Sequence, residues 1–243
     1  MITYLGWDSK FFKKKIARID VDANYSLKRL QNTLRLFFSQ KYDCGYLMIP
    51  LKKKELINYC ASRHFFLADR KLVMRKKTSK SEVELLSIDI QTELSKDRLG
   101  SLKTLSHQIA KMSRFYRDPK FKPQAFRLYE EWIKNTFRKR YQYQSFFAFI
   151  NKKVVGFITV KIKDNAPYID LFGVGEDYRR RGIGRQLLQK VDQWAGDKGY
   201  KYLFVTTQKE NKIAFLVYEK YGFRPHSLTN VYHIWRNHDK NTI

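Results

Sequence analysis

Apolar positions in this 243-residue chain switch between a two-residue and a 3.6-residue period, and each switch marks a new element. Residues 1–5 open as a strand, 7–12 form a polar–aromatic cluster, and Ile16-Ala-Arg-Ile-Asp-Val21 alternates like a half-buried strand. Leu27, Leu30, Leu34 and Phe37 then keep a helical stripe behind Ser26, a residue suited to cap it. Tyr46-Leu-Met-Ile49 is a short buried strand closed by Pro50, followed by a helix over 55–64 and a strand over 65–75. The order β-α-β-α-β predicts a small α/β unit with at least one parallel pair.

Lys76-Lys-Thr-Ser-Lys-Ser81 contains no apolar residue and reads as a linker, which divides the chain into domains 1–77 and 82–237. Beyond it come a strand over 82–92 and a helix over 98–112 with Leu99, Leu102, Leu105 and Ile109 on one face. After the turn-rich Ser113-Arg-Phe-Tyr-Arg-Asp-Pro119, Pro123 opens a helix running to about 140, striped by Phe126, Tyr129, Ile133 and Phe137. Strands 146–150 and 154–162 flank Asn151-Lys-Lys, a hairpin signal. Strand 168–174 precedes a helix carrying Leu187, Leu188 and Val191 and ending at Gly199. Strand 202–207, a helix over 211–221 and strand 231–235 complete the pattern.

Composition narrows the classes. A chain that is 43% hydrophobic and 16% aromatic is not disordered. Lys and Arg number 49 against 23 Asp and Glu, a formal +26 that calls for an anionic partner or anionic surroundings. Residues 1–80 hold 19 of the basic and 6 of the acidic residues, half of the net charge, so no isolated basic tail exists. Cys44 and Cys60 have neither metal spacing nor a disulfide framework, and both read as core thiols of a cytoplasmic protein. Five scattered histidines share no ligand spacing, so no metal is expected. No apolar run suits a signal peptide or a bilayer span.

The densest chemistry lies at Asp170-Leu-Phe-Gly-Val174 followed by Arg179-Arg-Arg-Gly182-Ile-Gly184. A strand, a glycine- and arginine-rich turn and a helix start leave backbone N–H groups unpaired under the positive end of the helix dipole. A phosphate or pyrophosphate is the natural occupant, and the two glycines let the backbone approach it. The predicted cradle is the backbone of Arg181, Gly182, Ile183 and Gly184, with Arg179 and Arg180 supplying charge-assisted contacts.

Residues 82–236 resemble the GNAT N-acetyltransferase superfamily. Val174 to Gly184 is similar to its acetyl-CoA motif, and Asn211-x-x-Ala214 with Leu216-Val-Tyr218-Glu-Lys-x-Gly-Phe223 is similar to its second signature. The implied fold is α/β (α+β), a mixed central sheet preceded by a smaller α/β N-terminal domain. A further resemblance spans nearly the whole chain. Leu5-x-Trp-Asp-Ser-x-Phe-Phe12, Ser113-Arg-Phe115 with Asp118 and Phe121, and Trp132-Ile133 are similar to the TDP-fucosamine (TDP-4-amino-4,6-dideoxygalactose) acetyltransferases and related nucleotide-sugar enzymes.

These resemblances imply direct acetyl transfer from acetyl-CoA to a primary amine, an amino sugar on a nucleotide carrier. Phe172, Gly173 and Val174 offer a backbone edge on which the pantetheine arm adds like a strand. Superfamily members use the tyrosine matching Tyr218 as general acid, and a phenol with an ordinary pKa of about 10 keeps its proton at neutral pH. Asn211 caps its helix, reaches the cofactor arm, or does both. Asp170 is a candidate base or water-positioning group, and equally a strand-edge ion-pair partner. The acceptor is expected where the first helices of the second part and the N-terminal unit meet the cofactor cleft. There Arg114 would meet the substrate diphosphate, and Phe115 or Tyr116 would stack on a base or sugar, unless Ser113-Arg-Phe115 is an ordinary turn.

No Ser/His/Asp or Cys/His set supports a covalent acetyl-enzyme. The expected partners are acetyl-CoA and a small-molecule amine, with a homodimer as the candidate assembly and neither membrane nor nucleic acid. Two alternatives stand beside this reading: the same chemistry on a protein or antibiotic amine, and a non-catalytic basic nucleic-acid-binding protein motivated by charge alone. A polyamine acceptor is disfavoured because +26 repels polycations.

Overall fold

The computed structural model describes residues 1–79, 88–95, 99–136 and 143–236. Along the chain run β1 (Ile2–Tyr4), α1 (Gly6–Phe12), β2 (Ile16–Asp20), α2 (Leu27–Ser39), β3 (Cys44–Pro50), α3 (Lys54–Ser62) and β4 (Phe66–Lys77). Then come β5 (Asp89–Gln91), α4 (Leu99–Ala110), α5 (Arg114–Arg117), α6 (Ala125–Thr136), β6 (Tyr143–Ile150), β7 (Lys153–Lys163) and β8 (Ala166–Val174). The last four are α7 (Ile183–Asp197), β9 (Tyr202–Gln208), α8 (Lys212–Lys220) and β10 (Arg224–Trp235). Residues 82–87, 96–98, 137–142 and 237 of the expected second domain lie outside the described residues.

The chain packs as two units, Met1–Leu72 with Ser227–Ile243, and Val73–His226. In the first unit β1 is antiparallel to β2, β2 is parallel to β3, and β3 is antiparallel to β10. The parallel pair that the β-α-β pattern required is therefore β2–β3. Leu30, Leu34 and Phe37 of α2 and Leu56 and Cys60 of α3 pack on Ile19, Leu47, Ile49 and Ile234 of the sheet. Ser26 caps α2, its side chain accepting from the Arg29 N–H at 3.2 Å. Burial pushes the Cys60 thiol up to about 12, which leaves it inert.

Two elements of this unit differ from the pattern. The aromatic cluster 7–12 is a helix, because Ser9 is buried and its Oγ accepts the Ile16 N–H at 3.0 Å, fastening α1 to β2. β10 begins seven residues before its expected start, at Arg224, and its residues from Ser227 onward belong to the first unit rather than the second. Its exposed opening residues, Arg224-Pro-His-Ser227, carry no alternation to read.

In the second unit the strand order is β9-β8-β7-β6-β5. β6, β7 and β8 form an antiparallel meander. Asn151 and Lys152 take φ of 48° and 62°, the left-handed pair that a two-residue hairpin turn needs. Asp164 and Asn165 repeat this at 50° and 56° between β7 and β8. α4 and α6 pack Leu102, Leu105, Tyr129 and Ile133 against Phe147, Phe157 and Leu171. Among the described residues no helix is long and apolar enough to cross a membrane.

Candidate active site

The site begins with a slip in register. Leu171 of β8 pairs with Thr159 of β7, but Ile169 pairs with Val160, so Asp170 is an extra residue bulged out of the ladder. Beside the bulge the Leu171 N–H donates to the buried Thr159 Oγ1 at 3.1 Å. On its other edge β8 pairs in parallel with β9 only at Tyr168–Phe204 and Ile169–Val205. Past that point a cleft of 1290 Å³ opens, walled by residues 169–174 of β8, 206–208 of β9 and parts of α4, α7 and α8.

α7 starts at the mouth of this cleft. The Gly175 N–H donates to the Val155 carbonyl at 2.8 Å, and a single turn of 3-10 helix, Glu176–Tyr178, redirects the chain. Arg180 (φ 62°) and Gly182 (φ 77°) are both left-handed, and at Gly182 a side chain would be strained. No side chain caps α7 and no acidic residue stands in its first turn. The helix end therefore presents its N–H groups and positive dipole to whatever enters. Arg179 is steadied over the turn by Nε donation to the Val174 carbonyl at 3.2 Å and by Glu176 at 3.7 Å.

Of the predicted donor-site residues, Phe172, Gly173, Val174, Arg179, Arg180, Gly182, Ile183, Gly184 and Asn211 all line the cleft. Arg181 does not. It is exposed, with its guanidinium 5.5 Å from the Tyr178 ring. The Asn211 Oδ1 accepts the Ala214 N–H at 3.1 Å, so capping is the contact it makes, on the cleft wall. Tyr218 lies on α8 at 5% exposure, its ring 6.0 Å from Phe172 and 5.7 Å edge-on to Phe223. Burial pushes its phenol above the ordinary range. Asp170, the bulge residue, is exposed and lines the same cleft.

The acceptor residues fare differently. Phe115 is 2% exposed, edge-on to Phe121 at 5.6 Å and Trp132 at 5.7 Å, and has no face left for a base or sugar. Arg114 holds its guanidinium over that ring at 4.5 Å, and Tyr116 lies between Phe126 and Lys122. None of the three lines the cleft. Ser113 caps α5 by accepting the Tyr116 N–H at 3.2 Å, and buried Asp118 accepts the Lys120 N–H at 2.9 Å. The Ser113-Arg-Phe115 motif is thus a packed corner, the ordinary turn that stood as its alternative.

In place of those residues α4 brings Leu105, Gln108 and Ile109 to the cleft, the turn after it brings Met112, and α6 brings Tyr129. A Cβ built on Gly173 would lie 2.9 Å from Ile109 Cδ1, so α4 sits directly on β8 where the pantetheine edge was expected. The sequence showed these apolar residues as a helical stripe, but a stripe does not tell core from cleft. At the far end, Asp192 of α7, 3% exposed, takes the Lys76 ammonium at 2.6 Å and the Ser79 hydroxyl at 2.9 Å. Asp192 also bonds the Tyr221 phenol, which burial first and this carboxylate second push above its ordinary pKa.

The family model for "Acetyltransferase (GNAT) family" matches residues 108–223, a stretch that includes the bulged β8 and the uncapped start of α7. The chain carries an acetyltransferase domain of the GNAT family. Its enzyme class follows: acetyl-CoA-dependent N-acetyltransferase. It is similar to the spore coat polysaccharide biosynthesis protein SpsD of Bacillus subtilis (strain 168), 22% identical over 94% of this chain and 81% of that protein. It is also similar to an aminoglycoside N(6')-acetyltransferase type 1 of Salmonella typhimurium, 30% identical over 32% of this chain and 61% of that one. The fold of a GCN5-related N-acetyltransferase from Sphaerobacter thermophilus overlays at TM-score 0.62, covering 90% of this chain and 73% of that chain at 15% identity.

Proposed function

We propose that this GNAT enzyme acetylates the primary amine of a nucleotide-linked amino deoxysugar, of the TDP-4-amino-4,6-dideoxygalactose class. The observation that carries the reading is the extent of similarity to SpsD, a protein named for polysaccharide biosynthesis. It takes in both units of this chain, whereas the match to the aminoglycoside enzyme takes in a third of it. The motif at 5–12 and the corner at 113–121 support the same class by resemblance, as scaffold rather than as ligand contacts.

The cleft fits acetyl-CoA by its chemistry. The α7 end, free of acidic side chains in its first turn, suits a pyrophosphate, with Arg179 and Arg180 beside it. The backbone of Phe172, Gly173 and Val174 suits the amide-bearing arm. Transfer then forms an N–C bond between the acceptor amine and the thioester carbonyl and breaks the C–S bond. Tyr218 donates its proton to the departing sulfur and recovers one from solvent. Asp170 takes the proton that the amine must lose, directly or through a water, from its place on the bulge.

The test is thiol release from acetyl-CoA against TDP- and UDP-amino sugars, kanamycin and an N-terminal peptide. Turnover confined to the sugars supports the assignment. Turnover confined to kanamycin or the peptide replaces the acceptor, the reading that the aminoglycoside relative would favour.

A further inference from the structure

Gln108 is the one polar side chain on the α4 wall between Leu105 and Ile109, and its Oε1 is buried without a hydrogen-bond partner. A carbonyl oxygen held away from water with nothing donating to it is costly, and such a cost is tolerated where a ligand supplies the donor. Rotation about the last side-chain bond of a glutamine is soft, so this oxygen can turn to the cleft without disturbing the helix. The helix itself is held. His107, the preceding residue, meets Glu130 of α6 at 2.6 Å and stacks on Phe126 at 4.7 Å. Ile109, the following residue, packs on Gly173. Gln108 is thus fixed between two anchored neighbours.

The chemistry of the wall selects what Gln108 can hold. An amide oxygen on this wall accepts from an N–H or O–H and gives nothing to a phosphate or thiolate. The anionic parts of the donor have their own place at the α7 end. We propose that Gln108 is an acceptor-positioning residue, its Oε1 accepting a hydrogen bond from the amine to be acetylated or from a hydroxyl beside it. The proposal rests on the transferase reading of the cleft.

Gln108→Met keeps length and removes the oxygen. With TDP-4-amino-4,6-dideoxygalactose as probe, kcat/KM for the acceptor is expected to fall tenfold or more, while the Kd of acetyl-CoA by calorimetry stays within about twofold. An unchanged acceptor kcat/KM overturns the proposal, and so does a loss of acetyl-CoA affinity equal to the loss in kcat/KM. If the wild type leaves this sugar untouched, the acceptor class fails. Gln108→Met is then compared with wild type on whichever amine of the panel turns over, where an unchanged kcat/KM sinks the proposal.

Discussion

Replacing Thr159 with valine removes one oxygen at nearly constant volume, the oxygen that accepts the N–H beside the bulge. Thr159 is 1% exposed and Leu171 is 5% exposed, so the Leu171 N–H that donates to Oγ1 at 3.1 Å cannot turn to water. Leaving a buried donor unpaired costs about 1–3 kcal/mol. For a chain of this size about 2 kcal/mol lowers the melting temperature by roughly 4–8 °C. The strand has a way to recover part of that cost, which is to draw Asp170 back into regular pairing. A one-residue slip turns every following side chain to the opposite face, so Phe172 would leave the cleft and the edge proposed for the pantetheine arm would close. Thr159→Val is therefore expected to lose both stability and acetyl-CoA affinity, the latter by about fivefold or more, close to 1 kcal/mol. Thr159→Ser, which keeps the oxygen, holds the affinity. Thermal melts and calorimetric titration with acetyl-CoA measure both quantities. A valine variant that melts within about 1 °C of wild type and binds acetyl-CoA equally would show that the bulge stands without this hydrogen bond.

Tyr218→Phe is expected to lower kcat by about 10²–10⁴-fold with acetyl-CoA affinity unchanged, the size of a lost general acid; turnover within about threefold of wild type removes Tyr218 from the role. Because burial pushes that phenol upward, the wild-type rate should show no alkaline decline from Tyr218 below about pH 10 in a kcat profile. Asp192→Asn keeps the shape but leaves the Lys76 ammonium, with its side chain 17% exposed, without a counter-charge; it should destabilise by about 3 kcal/mol in denaturant titration. Burial pushes the Glu130 carboxyl up, but the hydrogen bonds and charges of His107 and Lys103 together outweigh it and hold the group below its usual range. A depressed folded pKa stabilises above the unfolded value and is lost as pH falls through the folded one. The melting difference between wild type and Glu130→Gln should therefore be full above about pH 5 and shrink below about pH 4, and a difference that grows with acid would reverse the assignment.

The sequence by itself determined what depends on neighbours along the chain. The stripes at Leu30, Leu34 and Phe37 and at Leu187, Leu188 and Val191 set their helices, Ser26 and Asn211 set two helix starts, and the left-handed Gly182 set the anion turn. These are local effects of period, side-chain capping and a missing Cβ, so they survive without knowledge of the partner surface. Tertiary structure alone decided which residues share a wall. The bulge at Asp170 exists only relative to the register of β7, and no feature of 168–174 taken alone shows it. Phe115 and Ile109 look alike as apolar residues in or near helices, yet one is sealed behind Phe121 and Trp132 while the other lies on Gly173 at the cleft. Gln108 read as nothing at all, because an unpaired oxygen is a property of its surroundings. The cleft wall proposed for the donor was legible because it is one continuous strand, turn and helix start. The facing wall was not, because its side chains come from α4, α6 and β8, far apart in sequence and joined only by packing.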